Sequence, residues 1–235
     1  MILVRVLGIV MSSSSLFALD DTSAPRPGPA AAIPVIGLIG AIGGGKSTVA
    51  AMLLDRGAAV IDADAVGHRV LDLPAIRARL RDRFGLEVIG EDGRVDRGVL
   101  GRIVFADEGA RRDLEAIVHP EMRRDFERTI AEQGAGGRVL AVILDAAILL
   151  EAGWDVLCDR IVFVDAPWET RLERVSRNRG WTADMLRARE AAQWPLADKR
   201  ARADRILTND RGRAELERAV DHLLQDVAAP TAPRK

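Results

Sequence analysis

The chain has 235 residues, 48 % of them hydrophobic, with a formal net charge of −1. That length and apolar content suit one α/β domain with an inserted subdomain and exclude an intrinsically disordered chain. The near-zero charge excludes a global field that draws in nucleic acid or an anionic membrane; the lone Cys158 excludes an internal disulfide and suits a reducing cytoplasm; three scattered histidines give no metal-site spacing.

Along the chain, residues 1–33 come first. Met1 to Val10 is apolar apart from Arg5, Ser12 to Ser15 is polar, and four prolines fall between Ala24 and Pro34. A signal peptide is conceivable, but its basic start would be weak and its apolar run short, and no stretch reaches the length of a membrane span. A disordered tail, or a start codon assigned too far upstream, is the expectation. A short buried strand at 35–39 then enters a glycine-rich loop, and an apolar helix at 47–55 leaves it, with Gly57 as its cap. A second buried strand follows at 58–62.

From 65 to 133 the period is helical, with Arg-rich faces between apolar positions and breaks at Pro74, Gly85, Gly90 to Gly93 and Pro120. Residues 134–137 read as a linker into a continuous apolar run at 138–145, which suits a central parallel strand. A fourth strand at 161–165 stops at Pro167. Helices at 169–177 and 183–193 and a fifth strand at 204–208 come next. A last helix at 214–227 places Leu216, Ala219, Val220, Leu223 and Leu224 on one stripe, before a disordered tail at 229–235. This alternation implies a doubly wound parallel sheet of about five strands with the helical block inserted beside it. Ligands of such sheets lie at the carboxyl ends of the strands, so the loop 40–48, Asp62 to Asp64, Asp145 and the segment after Asp165 should converge on one cleft.

The glycine-rich loop, Gly40-Ala41-Ile42-Gly43-Gly44-Gly45-Lys46-Ser47-Thr48, fits G-x-x-x-x-G-K-[ST] without a mismatch. Its glycines let backbone N–H groups turn inward around phosphate oxygens, and the helix N-terminus adds its positive end. Lys46 can follow the β- and γ-phosphates, and the Ser47 hydroxyl can join the shell of a Mg²⁺ ion. The chain is therefore read as a binder of a nucleoside triphosphate. At the end of the second strand, Asp62 and Asp64 stand two apart, which on an extended chain puts both carboxylates on the same side. A phosphoryl-transfer enzyme needs such a carboxylate at its acceptor hydroxyl. Asp64 could equally cap a helix starting at Ala65.

Together with the phosphate loop, Val60-Ile61-Asp62-Ala63-Asp64 resembles the dephospho-coenzyme A kinase family. Further matches run in order through Val118-His119-Pro120, Leu144-Asp145, Leu149 to Trp154, Val164 to Pro167, Ala192-Gln193, Lys199 to Asp204 and Asn209, so that the resemblance covers about 35–210. It implies a P-loop kinase core with a helical substrate domain at 65–133 and a mobile lid at about 168–200. It also implies transfer of the ATP γ-phosphoryl group to the ribose 3′-hydroxyl of dephospho-coenzyme A, with no nucleic-acid or membrane partner. Asp64 matches the family's carboxylate at the acceptor hydroxyl, and Lys46, Ser47 and Thr48 match its nucleotide loop, in which Gly40, Ile42, Gly43, Gly44 and Gly45 would also take part.

Asp145 could hold the Mg²⁺ shell or simply cap the next segment. Arg174, Arg177 and Arg179 lie where a lid would hang, and guanidinium forks match phosphate geometry. Where the family usually has proline, this chain has Ala147, so the loop after Asp145 is expected to be freer. A cytoplasmic monomer is expected, with oligomerisation left open. The alternatives are a kinase of another small hydroxyl compound and a nucleotide-binding switch protein.

Overall fold

The computed structural model describes residues 33–228. The expectations for the terminal tails lie outside the described residues, except that Ile33 packs partly against the core.

Five strands are formed: β1 (Val35–Gly40), β2 (Ala59–Asp62), β3 (Val142–Asp145), β4 (Arg160–Asp165) and β5 (Arg205–Thr208). They make one parallel sheet in the order β2-β3-β1-β4-β5. Alternation along each strand divides the core between two faces. On β4, Ile161 and Phe163 point into one cluster and Val162 and Val164 into the other; on β3, Val142 and Leu144 oppose Ile143 in the same way. Both faces are covered, which is why these segments read as unbroken apolar runs.

One face is covered by α1 (Lys46–Asp55) and by the last helix (Arg213–Ala228), through Val49, Met52 and Leu53 on the first and Leu216, Val220 and Leu223 on the second. The expected stripe of the last helix lies on this face, with Ala219 and Leu224 partly buried. The other face is covered by a helical block of α2 (Ala63–Leu71), α3 (Pro74–Phe84), α4 (Arg97–Ala106) and α5 (Glu108–Gly136). Val66, Leu80, Leu100, Leu114, Val118 and Phe126 from these four helices join the sheet's own side chains in one apolar cluster. The block therefore shares the core of the sheet. After β4 come α6 (Trp168–Arg179), α7 (Ala183–Ala191) and α8 (Leu196–Arg202), and the last helix is α9.

Three expectations are corrected. Pro120 does not break the chain: α5 runs through it for 29 residues. Proline removes one backbone bond there, but Ile117 and Val118 before it and Met122 and Phe126 after it enter the same core, and that burial holds the two halves in line. The expected linker at 134–137 is mostly helix, ending only where Gly137 takes a left-handed φ of 59°. Glycine costs a helix only about 1 kcal/mol per residue, too little to stop one that packing has already formed. The third strand is shorter than the apolar run suggested, because Leu140 is exposed and pairing begins at Val142. Helix α8 was not foreseen; its sequence, LADKRAR, has too few apolar residues to show a period.

Candidate active site

The carboxyl ends of β1, β2 and β3 lie side by side. β3 pairs with both neighbours, so that Asp145 is in register with Asp62 of β2 and with Leu38 of β1. The phosphate loop leaves the end of β1 and folds back on itself through bonds from Gly44 N–H to the Ala41 carbonyl (2.9 Å) and from Ala41 N–H to Val164 (3.2 Å). Gly45 caps α1 with φ 99° and no side chain, and a Cβ there would lie 2.1 Å from the Asn209 amide nitrogen. Only glycine fits. No acidic residue occupies the first turn of α1, so its N-terminal amides and positive dipole end face an open cleft. Ser47 and Thr48 are exposed to it.

That cleft, of about 550 Å³, is lined by Gly40 to Gly43, Gly45 to Thr48, Asp64, Ala147, Arg174, Arg179, Arg189, Gln193 and Asn209, among others. It joins the loop to the second motif, as the topology predicted. The two aspartates differ in local structure from the extended pair expected. Helix α2 begins at Ala63, and the cap is Asp62, whose carboxylate accepts from the N–H groups of Asp64 (2.8 Å) and Ala65 (3.1 Å). Capping thus falls to Asp62, while Asp64 stands half-buried in the first helical turn and lines the cleft.

Lys46 donates to Asp145 Oδ1 at the end of β3. Burial pulls the Lys46 ammonium down to about 8, against the opposing pull of Asp64 and then Asp62, while the charge of Lys199 lowers it further. Lys46 therefore lies in the field of both aspartates of the second motif. Asp145 and Ser47 offer a carboxylate and a hydroxyl oxygen, the donor chemistry that Mg²⁺ takes beside phosphate oxygens.

The arginines separate. Arg174 holds the loop from outside, donating to the carbonyls of Gly43 (3.4 Å) and Gly44 (3.3 Å) and to the Asn209 carbonyl (3.1 Å) and side chain (3.3 Å). Arg177 is not in the cleft: it is exposed and reaches back along α6 to Glu173, 3.6 Å away. Arg179 and Arg189 reach the cleft and lie over Trp181, at 4.9 and 4.1 Å from its ring centre.

Sequence reasoning gave no role to two residues that shape the loop. Arg171, 5 % exposed, donates to the Ile42 carbonyl (3.3 Å) and to Glu190 of α7. Asn209 donates from its side chain to the Gly44 carbonyl (3.0 Å). For Asn209 there was a signal: it directly follows the fifth strand, whose carboxyl end must point at the same cleft. Arg171 was one arginine among many.

Relatives of the chain are found among known proteins. The sequence model described as dephospho-CoA kinase matches residues 34–215. A dephospho-CoA kinase of Symbiobacterium thermophilum is 47 % identical over 193 residues, covering 79 % of each chain. One of Anaeromyxobacter dehalogenans is 44 % identical over 195 residues, covering 82 % of this chain and 92 % of that one. Among solved structures, TT1252 from Thermus thermophilus superposes with a TM-score of 0.72 at 38 % identity, covering 83 % of this chain and 97 % of the other.

Proposed function

The chain belongs to the dephospho-CoA kinase family, and from that premise we propose that it transfers the γ-phosphoryl group of ATP to the ribose 3′-hydroxyl of dephospho-coenzyme A, the last step of coenzyme A synthesis. The observation that carries this reading is one cleft holding both a complete phosphate loop and, beside it, a half-buried carboxylate, Asp64, that the helix does not use as a cap. The loop amides of Gly43, Gly45, Lys46 and Ser47 cradle the phosphates, and Lys46 leaves Asp145 to follow the charge of the group being transferred. Asp64 accepts the proton of the 3′-hydroxyl as that oxygen bonds to the γ-phosphorus and the bond to the β,γ-bridging oxygen breaks, leaving ADP. Mg²⁺, held by Ser47 and Asp145, would neutralise charge on the phosphates.

The helical block at 65–133 is the platform for the acceptor, since its first helix carries Asp64 in its first turn. The segment 168–200 is the lid, supported by its small separate cluster of Val175, Trp181 and Leu186, which meets the loop at Ile42. Arg179 and Arg189 are its phosphate-facing arginines, in place of Arg177. The protein works as a cytoplasmic monomer without nucleic-acid or membrane partners; its near-neutral charge and its single, buried cysteine, Cys158, suit that setting. Among the described residues no helix is long and apolar enough to cross a membrane.

The test is ADP release from ATP and Mg²⁺ with dephospho-coenzyme A, a sugar acid, a nucleoside monophosphate or no acceptor. The expected result is turnover only with dephospho-coenzyme A. Equal turnover without acceptor, or a preference for another hydroxyl compound, overturns the assignment.

A further inference from the structure

Lys199, on α8, is completely buried, at 0 % exposed. Its ammonium group has three acceptors: Glu151 Oε1 at 2.7 Å, Gln193 Oε1 at 3.0 Å and the Ala147 carbonyl at 3.1 Å. Glu151 is itself buried, and the same Oε1 accepts from the backbone N–H of Trp194 at 3.1 Å. Two stretches distant in sequence therefore meet at one cation: the segment after β3, and the turn after α7 together with the α8 helix it leads into. Arg200, next along α8, bonds Asp165 at the end of β4, which seats the helix on the sheet.

Stability alone is a poor reason for this arrangement. Burying an ammonium and a carboxylate costs their hydration, and a well-packed apolar pair of similar volume is often as stable. The ammonium is placed where it fixes particular atoms. Two of the residues it holds, Ala147 and Gln193, line the cleft. β3 runs between β1 and β2, so the segment leaving it passes between the phosphate loop and the Asp62–Asp64 turn. The phosphate loop has its own supports in Arg174, Arg171 and Asn209. The Ala147 segment, expected to be freer for want of a proline, is held at its carbonyl by Lys199.

We propose that Lys199 is a positioning residue for the acceptor: by tying the Ala147 carbonyl and the Gln193 side chain together, it fixes the cleft wall that presents the acceptor hydroxyl to Asp64. This rests on the acceptor reading given above. None of the clamp's bonds reaches residues 40–48, and loss of the Lys199 charge, which lowers Lys46, can only favour the Lys46 ammonium, so the clamp acts on acceptor binding and not on the nucleotide.

Two variants separate positioning from simple support. Lys199→Met leaves Glu151 buried without its cation and lowers the thermal midpoint. Lys199→Met with Glu151→Gln removes both charges and brings the midpoint back to within a few degrees. In the double variant the KM for dephospho-coenzyme A rises about tenfold, as expected when a bound group is no longer held in place, while the KM for ATP stays within about twofold. The backbone amides of Ala152, Gly153 and Trp154, which bond back to the carbonyls of Ile148, Leu150 and Leu149, lose hydrogen-exchange protection in the same variant, and those of α1 keep theirs. A double variant that recovers both midpoint and wild-type KM for dephospho-coenzyme A overturns the proposal, as does an equal rise in both KM values. If the wild-type protein shows no turnover with dephospho-coenzyme A, the acceptor reading fails separately. Hydrogen exchange then decides the clamp, and unchanged protection at 152–154 refutes it.

Discussion

The phosphate loop and the helical block meet at Asp64, yet they are built on opposite principles. The loop takes its shape from its own backbone, from a left-handed glycine at 45 and from hydrogen bonds to its carbonyls by Arg171, Arg174 and Asn209. It buries little side-chain surface of its own. The block takes its shape from a shared apolar core, in which Phe126 and Trp154 pack edge to face at 5.0 Å. Damage to the first should remove chemistry and spare the fold, and damage to the second should do the reverse.

The largest expected effect is on the block. Phe126 is 0 % exposed, and Phe126→Ala should cost about 3–5 kcal/mol of stability by the usual sum of lost transfer energy and cavity. Chemical denaturation measures it. A loss under about 1 kcal/mol would mean that α5 is not held by this core. Lys46→Ala is the converse. Turnover should fall by about 10²-fold or more, because a charge meeting the transferring group is removed, while thermal midpoint changes little. Near-normal turnover with unchanged ATP affinity breaks the assignment of the loop.

His119, in α5, makes the block's stability depend on pH. Burial pulls its imidazole down to about 4, and its ring lies edge to face on Trp154 at 5.0 Å. Between pH 6.5 and 4 the unfolded chain takes up a proton that the folded chain refuses, so this contribution to stability is present above 6.5 and lost as pH falls. The shift corresponds to at most about 3 kcal/mol. His119→Phe keeps a ring against Trp154 and cannot titrate. Its melting temperature should fall less steeply than the wild type's over that range, and parallel slopes would count against the buried neutral histidine. The smallest effect is at Pro120, which is exposed within the helix. Pro120→Ala restores a backbone donor and should stabilise by about 1–2 kcal/mol. A loss of stability instead would show that the helix needs the proline to follow the core.

The same contrast explains what the sequence made legible. The loop was readable because each residue acts where it stands, so a nine-residue string carries its own geometry. Three of the five parallel strands were readable from apolar runs ending in Asp62, Asp145 and Asp165. The course of α5 was not, since Pro120 and three glycines near its end argue locally for breaks that distant packing overrules. The place of Asp64 in the cleft was legible, but the capping by Asp62 was not, because it turns on α2 starting at Ala63 rather than Ala65. Arg177 could not be told from Arg179 and Arg189 without knowing which partner each side chain reaches. Lys199 and Glu151 are 48 positions apart, and nothing in their spacing announces a buried pair.

The claim on which the rest depends is that Asp64, in the first turn of the helix that Asp62 caps, takes the acceptor's proton. The direct measurement is ADP release with dephospho-coenzyme A for Asp64→Asn beside Asp62→Asn, with ATP affinity measured on both. Asparagine caps a helix about as well as aspartate, so neither variant should lose much stability. Asp64→Asn should lose turnover by about 10²- to 10⁴-fold, the usual worth of a general base, with ATP affinity within a few-fold of wild type. Asp62→Asn should lose much less. Retention of more than about a third of wild-type turnover by Asp64→Asn, or a larger loss in Asp62→Asn, would contradict the account.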